Sequence, residues 1–207
     1  MKLLAVNTAQ TGCEVCVLTG RRTFIHGLPD IKGQDASLPG LVSDVCSQAG
    51  LSLSEVDRIA VVTGPGSFTG LRIGIAFARG LGLSLRRPVL GVTSLEAACP
   101  RDVATSVIVA LKAKRRPPDQ TWWTQIVQAG KGVSQPSELD VAGVEALAKS
   151  QIMDIVSDSP DTFASRFGTA AISAETAAHI ATDAHPEERP AIAAYGRAPD
   201  AVLPRTP

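Results

Sequence analysis

The stretch Ile59-Ala60-Val61-Val62-Thr63-Gly64-Pro65-Gly66-Ser67-Phe68-Thr69-Gly70-Leu71-Arg72-Ile73-Gly74 decides the fold class. Its first four residues are apolar and rich in β-branching, which suits a strand buried on both faces in a parallel sheet. The glycines at 64, 66 and 70 make a turn, and the helix predicted over residues 71–85 takes Ser67 or Thr69 as its cap. A buried strand followed by a glycine turn and a helix is the unit of an α/β fold.

On a helical wheel the apolar and glycine positions of residues 71–85 cover roughly 220°, interrupted mainly by Arg72 and Arg79, against about 100° for a helix that buries one face. Gly70, Gly74, Ala78 and Gly82 stand four apart and form a ridge almost free of side chains, which lets another helix approach closely. A second amphipathic helix is expected over 37–49, with Leu38, Leu41, Val42 and Val45 at three- and four-residue steps and Gly50 as its stop. Both helices are therefore expected in a partner interface, as half of a helical bundle. Its candidate residues are Leu38, Leu41, Val42, Val45, Gly70, Leu71, Gly74, Ile75, Ala78 and Gly82. Gly64, Pro65, Gly66, Ser67 and Thr69 are the structural loop.

Further outward, short apolar runs at 3–6, 13–18 and 23–26 predict an antiparallel meander. Strands are expected at 89–92, 103–111, 121–127 and 152–156, and helices at 94–99, 140–149 and 173–184. This alternation divides the chain into an N-terminal half, 1–102, and a degenerate second half, 103–207, whose tail from His185 is rich in proline and alanine and is expected to be loosely ordered.

The 207 residues carry 20 basic and 20 acidic side chains, so no global field draws in nucleic acid. Aromatics at 4% argue against a base-stacking platform. No run approaches a membrane span of about 20 apolar residues, and a cytoplasmic, membrane-free protein is expected. The thiols of Cys13, Cys16, Cys46 and Cys99 are too scattered for a disulfide framework, and Cys13 and Cys16 lack the second pair of a zinc site.

Catalytic patterns fail on spacing. Gly64, Gly66 and Gly70 give G-x-G-x-x-x-G, and no P-loop lysine follows. Ser67 sits in a strand-to-helix turn but lacks the flanks of a nucleophile elbow, so a capping role is expected. His26, His179 and His185 are too far apart for a helical metal pair. Lys112, Lys114, Arg115 and Arg116, beside Trp122 and Trp123, form the basic cluster; a solvated loop is expected there, with an RNA or partner contact as the sharper alternative.

Three runs carry a resemblance: 3–9 (Leu-Leu-Ala-Val-Asn-Thr-Ala), 61–74 with its glycine loop, and 91–95 (Gly-Val-Thr-Ser-Leu). They resemble the TsaB (YeaZ) family over residues 1–100, and the run 195–201 is similar to that family's closing motif. The resemblance implies an actin-like, ribonuclease-H-like α/β fold of two subdomains. It also implies a non-catalytic, cofactor-free subunit that binds TsaD, with TsaE as the ATPase, for threonylcarbamoyl transfer to the adenosine beside the anticodon of tRNA. Contact with tRNA is then indirect, and a homodimer is an option for the isolated chain. Asn7 stands where the family usually has Asp, 34–37 replaces a His-Ser run, and 110–114 replaces an Asp-Ala-Arg run. The alternatives are an enzyme of kinase or glycopeptidase type on the same fold, or a homodimeric binding module.

Overall fold

Three strands open the chain: β1 (Lys2–Asn7), β2 (Cys13–Thr19) and β3 (Arg22–Leu28). They pair antiparallel in the computed structural model, which describes residues 1–29, 33–113, 120–164 and 166–194. β4 (Arg58–Val62) and β5 (Val89–Val92) add parallel to β1, giving the order β3-β2-β1-β4-β5. Strand alternation sends Leu4, Val6, Val15 and Val17 to one face and Leu3, Ala5, Cys16 and Leu18 to the other, and all eight are buried. The first face is covered by α1 (Gln34–Ala49) and α2 (Phe68–Leu85).

The second sheet contains β6 (Val107–Lys112), β7 (Trp122–Gln128), β8 (Lys131–Gly132), β9 (Ser137–Leu139), β10 (Ile155–Ser157) and β11 (Arg166–Thr169). Its order is β11-β10-β6-β7-β8, with β9 also on β7. One face is packed by α4 (Val141–Gln151), around Ile108, Trp122, Val144 and Phe163. The other brings Val109, Leu111, Val127 and Val156 into the same core as α1 and α2, with the short α3 (Ser94–Ala97) between the sheets.

α5 (Ala174–Asp183) follows the second sheet in sequence but packs on the first, closing its far face with Ala174, Ala178 and Ala181. Two charges hold it. The Glu14 carboxylate accepts the Ala174 amide at its N-terminus, at 2.6 Å, and Arg58 donates to the carbonyls of Ala181, Thr182 and Ala184 at its C-terminus. Both charges complement the helix dipole.

Beyond α5 the tail is not loose as far as it is described. The Gly91 amide donates to Arg189 O, Pro190 bridges to Leu90, and the Ala194 amide donates to Thr63 O, so residues 189–194 strap across the ends of β4 and β5. Other departures from expectation are local: α1 begins at Gln34 on a left-handed Gly33, with Pro39 inside it, and β6 begins at Val107.

Candidate partner interface

The glycine loop is built onto the β1–β2 turn. Gly64 has φ +108°, a conformation that a side chain strains. A Cβ on Gly66 would overlap Ala9 O, to which the Ser67 amide also donates at 2.7 Å. Ser67 is the cap of α2, its Oγ accepting the Gly70 amide at 3.3 Å, and the Thr8 hydroxyl donates to Gly70 O at 2.7 Å. Gln34 donates to the carbonyls of Gln10 and Gly12, fastening α1 to the same turn. Asn7, which stands where the resembled family usually has Asp, takes the Ala9 amide on Oδ1 and gives Nδ2 to Ile172 O. The Ser67 and Gly70 amides are thus both bonded within the chain.

The ten interface candidates all point inward. Leu38, Leu41, Val42 and Val45 lie beneath α1, and Gly70, Leu71, Gly74, Ile75, Ala78 and Gly82 beneath α2. A Cβ on Gly70 would overlap Thr8 O, one on Gly74 would overlap Thr8 Oγ1, and one on Gly82 would overlap the Val89 side chain. The ridge therefore seats α2 on its own sheet, and its reading as a surface open to another chain is corrected. What the helices turn outward is different. On α2 these include Phe68, Arg72, Ala76, Arg79, Gly80 and Leu83, bordered by half-buried Ile73, Phe77 and Leu81, with Arg72 stacked 3.7 Å over the Phe68 ring. On α1 they include Pro39, Ser43, Asp44 and Ser47.

The remaining candidates separate. His26 faces Asp44 at 3.8 Å and His179 faces Glu175 at 3.8 Å, on different elements. Among the described residues no group of three or more His, Cys, Asp or Glu could hold a metal ion. All four thiols are buried and free, and burial pushes the Cys16 thiol up to about 12, leaving it unreactive at neutral pH. Trp122 is core, edge-on to Phe163, rather than a flank of the basic cluster. The Lys112 amide rests on both Asp158 oxygens, while Lys114, Arg115 and Arg116 lie outside the described residues, as does the run 195–201.

The spacing signals missed Glu96. Burial works to raise its pKa, but two bonds from Arg189, the Gly132 amide and the Thr93 cap hold the carboxyl below the usual range. It joins α3, β8 and the C-terminal strap.

Two solved structures cover nearly all of this arrangement. YeaZ from Pseudomonas aeruginosa superposes with a TM-score of 0.72 at 27% identity, over 94% of this chain and 99% of that one. A Pseudomonas aeruginosa protein described as similar to the peptidase YeaZ gives 0.75 at 25%, over 95% and 99%. By sequence, the tRNA threonylcarbamoyladenosine biosynthesis protein TsaB of Escherichia coli is 29% identical over 74% of this chain, and that of Haemophilus influenzae 32% over 62%. In sequence and in fold the chain is similar to the TsaB (YeaZ) proteins. It shares its α/β fold of two sheets with YeaZ. The family model of TsaD, tRNA N6-adenosine threonylcarbamoyltransferase, also matches residues 33–116, the segment holding α1, the glycine loop and α2. The matched regions cover 64% and 55% of the two TsaB relatives' lengths. Among the described residues no helix is long and apolar enough to cross a membrane.

Proposed function

We propose that this chain is a TsaB-family, non-catalytic cytoplasmic subunit that binds TsaD, and with TsaE supports threonylcarbamoyl transfer to the adenosine beside the anticodon of tRNA. The observation that carries it is the outer face of α2, where Phe68 and Ala76 stay exposed although the inward ridge is fully seated. A solvent-facing helix with that stripe fits a helical bundle completed by another chain. The commitment of the loop's Ser67 and Gly70 amides within the chain supports a scaffold over a nucleotide-hydrolysing reading.

Sedimentation of the chain with TsaD from the same cell tests this. Ala76→Arg, at an exposed position, should leave the melting temperature unchanged and weaken association about tenfold or more. A folded Ala76→Arg protein that binds TsaD as wild type does would overturn the assignment of the face. The isolated chain should hydrolyse ATP at background rate; turnover abolished by a glycine-loop substitution would establish the kinase-type alternative instead.

A further inference from the structure

The last turns of α2 and the strap at residues 190–192 enclose a groove of about 840 Å³. Val89, Pro190 and Ala191 line it with apolar surface. Leu83 and Ile192 also line it, 83% and 65% exposed. Large aliphatic side chains clustered in water on one groove mark a surface that is covered in use.

Its charged residues are of one sign. Arg79, Arg86 and Arg87 line the groove and no acidic side chain does, among the described residues. The Arg87 guanidinium donates to Ser54 O at 3.4 Å, a weak bond, and neither the Arg79 nor the Arg86 side chain has an ion pair or hydrogen bond among the described residues. Gly80 adds a separate observation. It lines the groove on the exposed side of α2, and a Cβ there would meet nothing in this chain. The fold gives no reason for a residue that weakens the helix at that point. Close approach by another molecule does.

We propose that this groove docks an acidic segment of another protein, its leucine-type side chains against the apolar lining and its carboxylates on the arginines. Charge complementarity selects this occupant. A nucleic acid would satisfy the arginines but leave the apolar lining wet, with no aromatic ring in the groove on which to stack a base. A second copy docked groove to groove would bring arginine against arginine. The test uses the chain without TsaD, so it stands or falls apart from the reading of the α2 face.

The probe is a fluorescein-labelled helical peptide with leucines at three- and four-residue steps and glutamates beside them, titrated with the full chain by fluorescence anisotropy. The expected result is saturable binding that weakens as salt rises. Arg79→Glu combined with Arg86→Glu, and separately Leu83→Ser, should each weaken it roughly tenfold or more. Gly80→Leu should block the groove, with a melting curve showing that the variant stays folded. The proposal fails if the wild-type chain shows no saturable binding, or if the variants bind as wild type does. It fails equally if a lysine-for-glutamate peptide, or a single-stranded RNA held by the same arginines, binds as tightly. A concentration-dependent dimer in sedimentation that Leu83→Ser dissolves would assign the groove to a second copy and overturn it.

Discussion

Gly74 and Gly80 are six residues apart in one helix, and the same substitution should act on them with opposite sign. At Gly80 an added Cβ meets nothing, so Gly80→Ala should stabilise the chain by about 1 kcal/mol through helix propensity. At Gly74 it strikes the Thr8 hydroxyl that bonds Gly70 O, so Gly74→Ala should destabilise by about 1–3 kcal/mol. Urea unfolding of the two variants beside wild type measures both. Ile152 offers a third case. It ends α4 at φ +53° and is 94% exposed, a conformation that a β-branched residue resists and glycine accepts. Ile152→Gly should raise stability by about 1 kcal/mol in the same assay.

At the scale of elements, α3 is held by the clasp of Glu96 and Arg189 rather than by its own four residues. Arg189→Ala should cost about 3 kcal/mol, because it strands a buried carboxylate. The pH dependence has a fixed sign. The carboxyl is held below its ordinary value of about 4.3, so the unfolded chain takes up its proton first as pH falls. The contribution is full above that ordinary value and is lost as pH falls through the folded-state value. The stability gap between wild type and Glu96→Gln should therefore narrow on acidification below about pH 4, as thermal melts in a pH series would show. An equal gap at pH 3 and pH 7 would remove the clasp from the account.

Most of the larger elements were legible because they are long enough to show a period: the meander, α1, α2 and the parallel strands follow from alternation and helical spacing. β8, β9 and β11, of two to four residues, carry no such signal, and partner strands define them. The glycine ridge was legible as a close-packing surface but not as to what it packs against. That depends on Thr8, more than sixty residues earlier, which only the folded sheet brings beneath Gly70 and Gly74. Glu96 shows in sequence only as the end of a Thr93-x-x-Glu96 capping box, because its other partners, Gly132 and Arg189, are brought to it by the fold.

For the whole molecule, the division at 102/103 separates the two sheets but not their cover. α5 comes from beyond that boundary and seals the far face of the first sheet, clamped by Glu14 and Arg58. Burial pushes the Glu14 carboxyl up even against the amide it accepts, so at neutral pH its charge is held at a cost, and Glu14→Gln should be mild. Arg58→Ala should be the more harmful of the two, which paired urea melts would rank.

This has a consequence for synthesis. A ribosome delivers the chain from its N-terminus at about 5–20 residues per second. All five strands of the first sheet have been made well before residue 174, and until α5 arrives Leu3, Ala5, Leu18, Ala60 and Leu90 face water on one continuous surface. The nascent protein must keep an unsealed, aggregation-prone sheet through the making of its whole second half. A polypeptide ended at residue 102 should therefore precipitate or recruit a chaperone. Adding a separately synthesised α5 peptide should return part of it to the soluble fraction, which light scattering can follow.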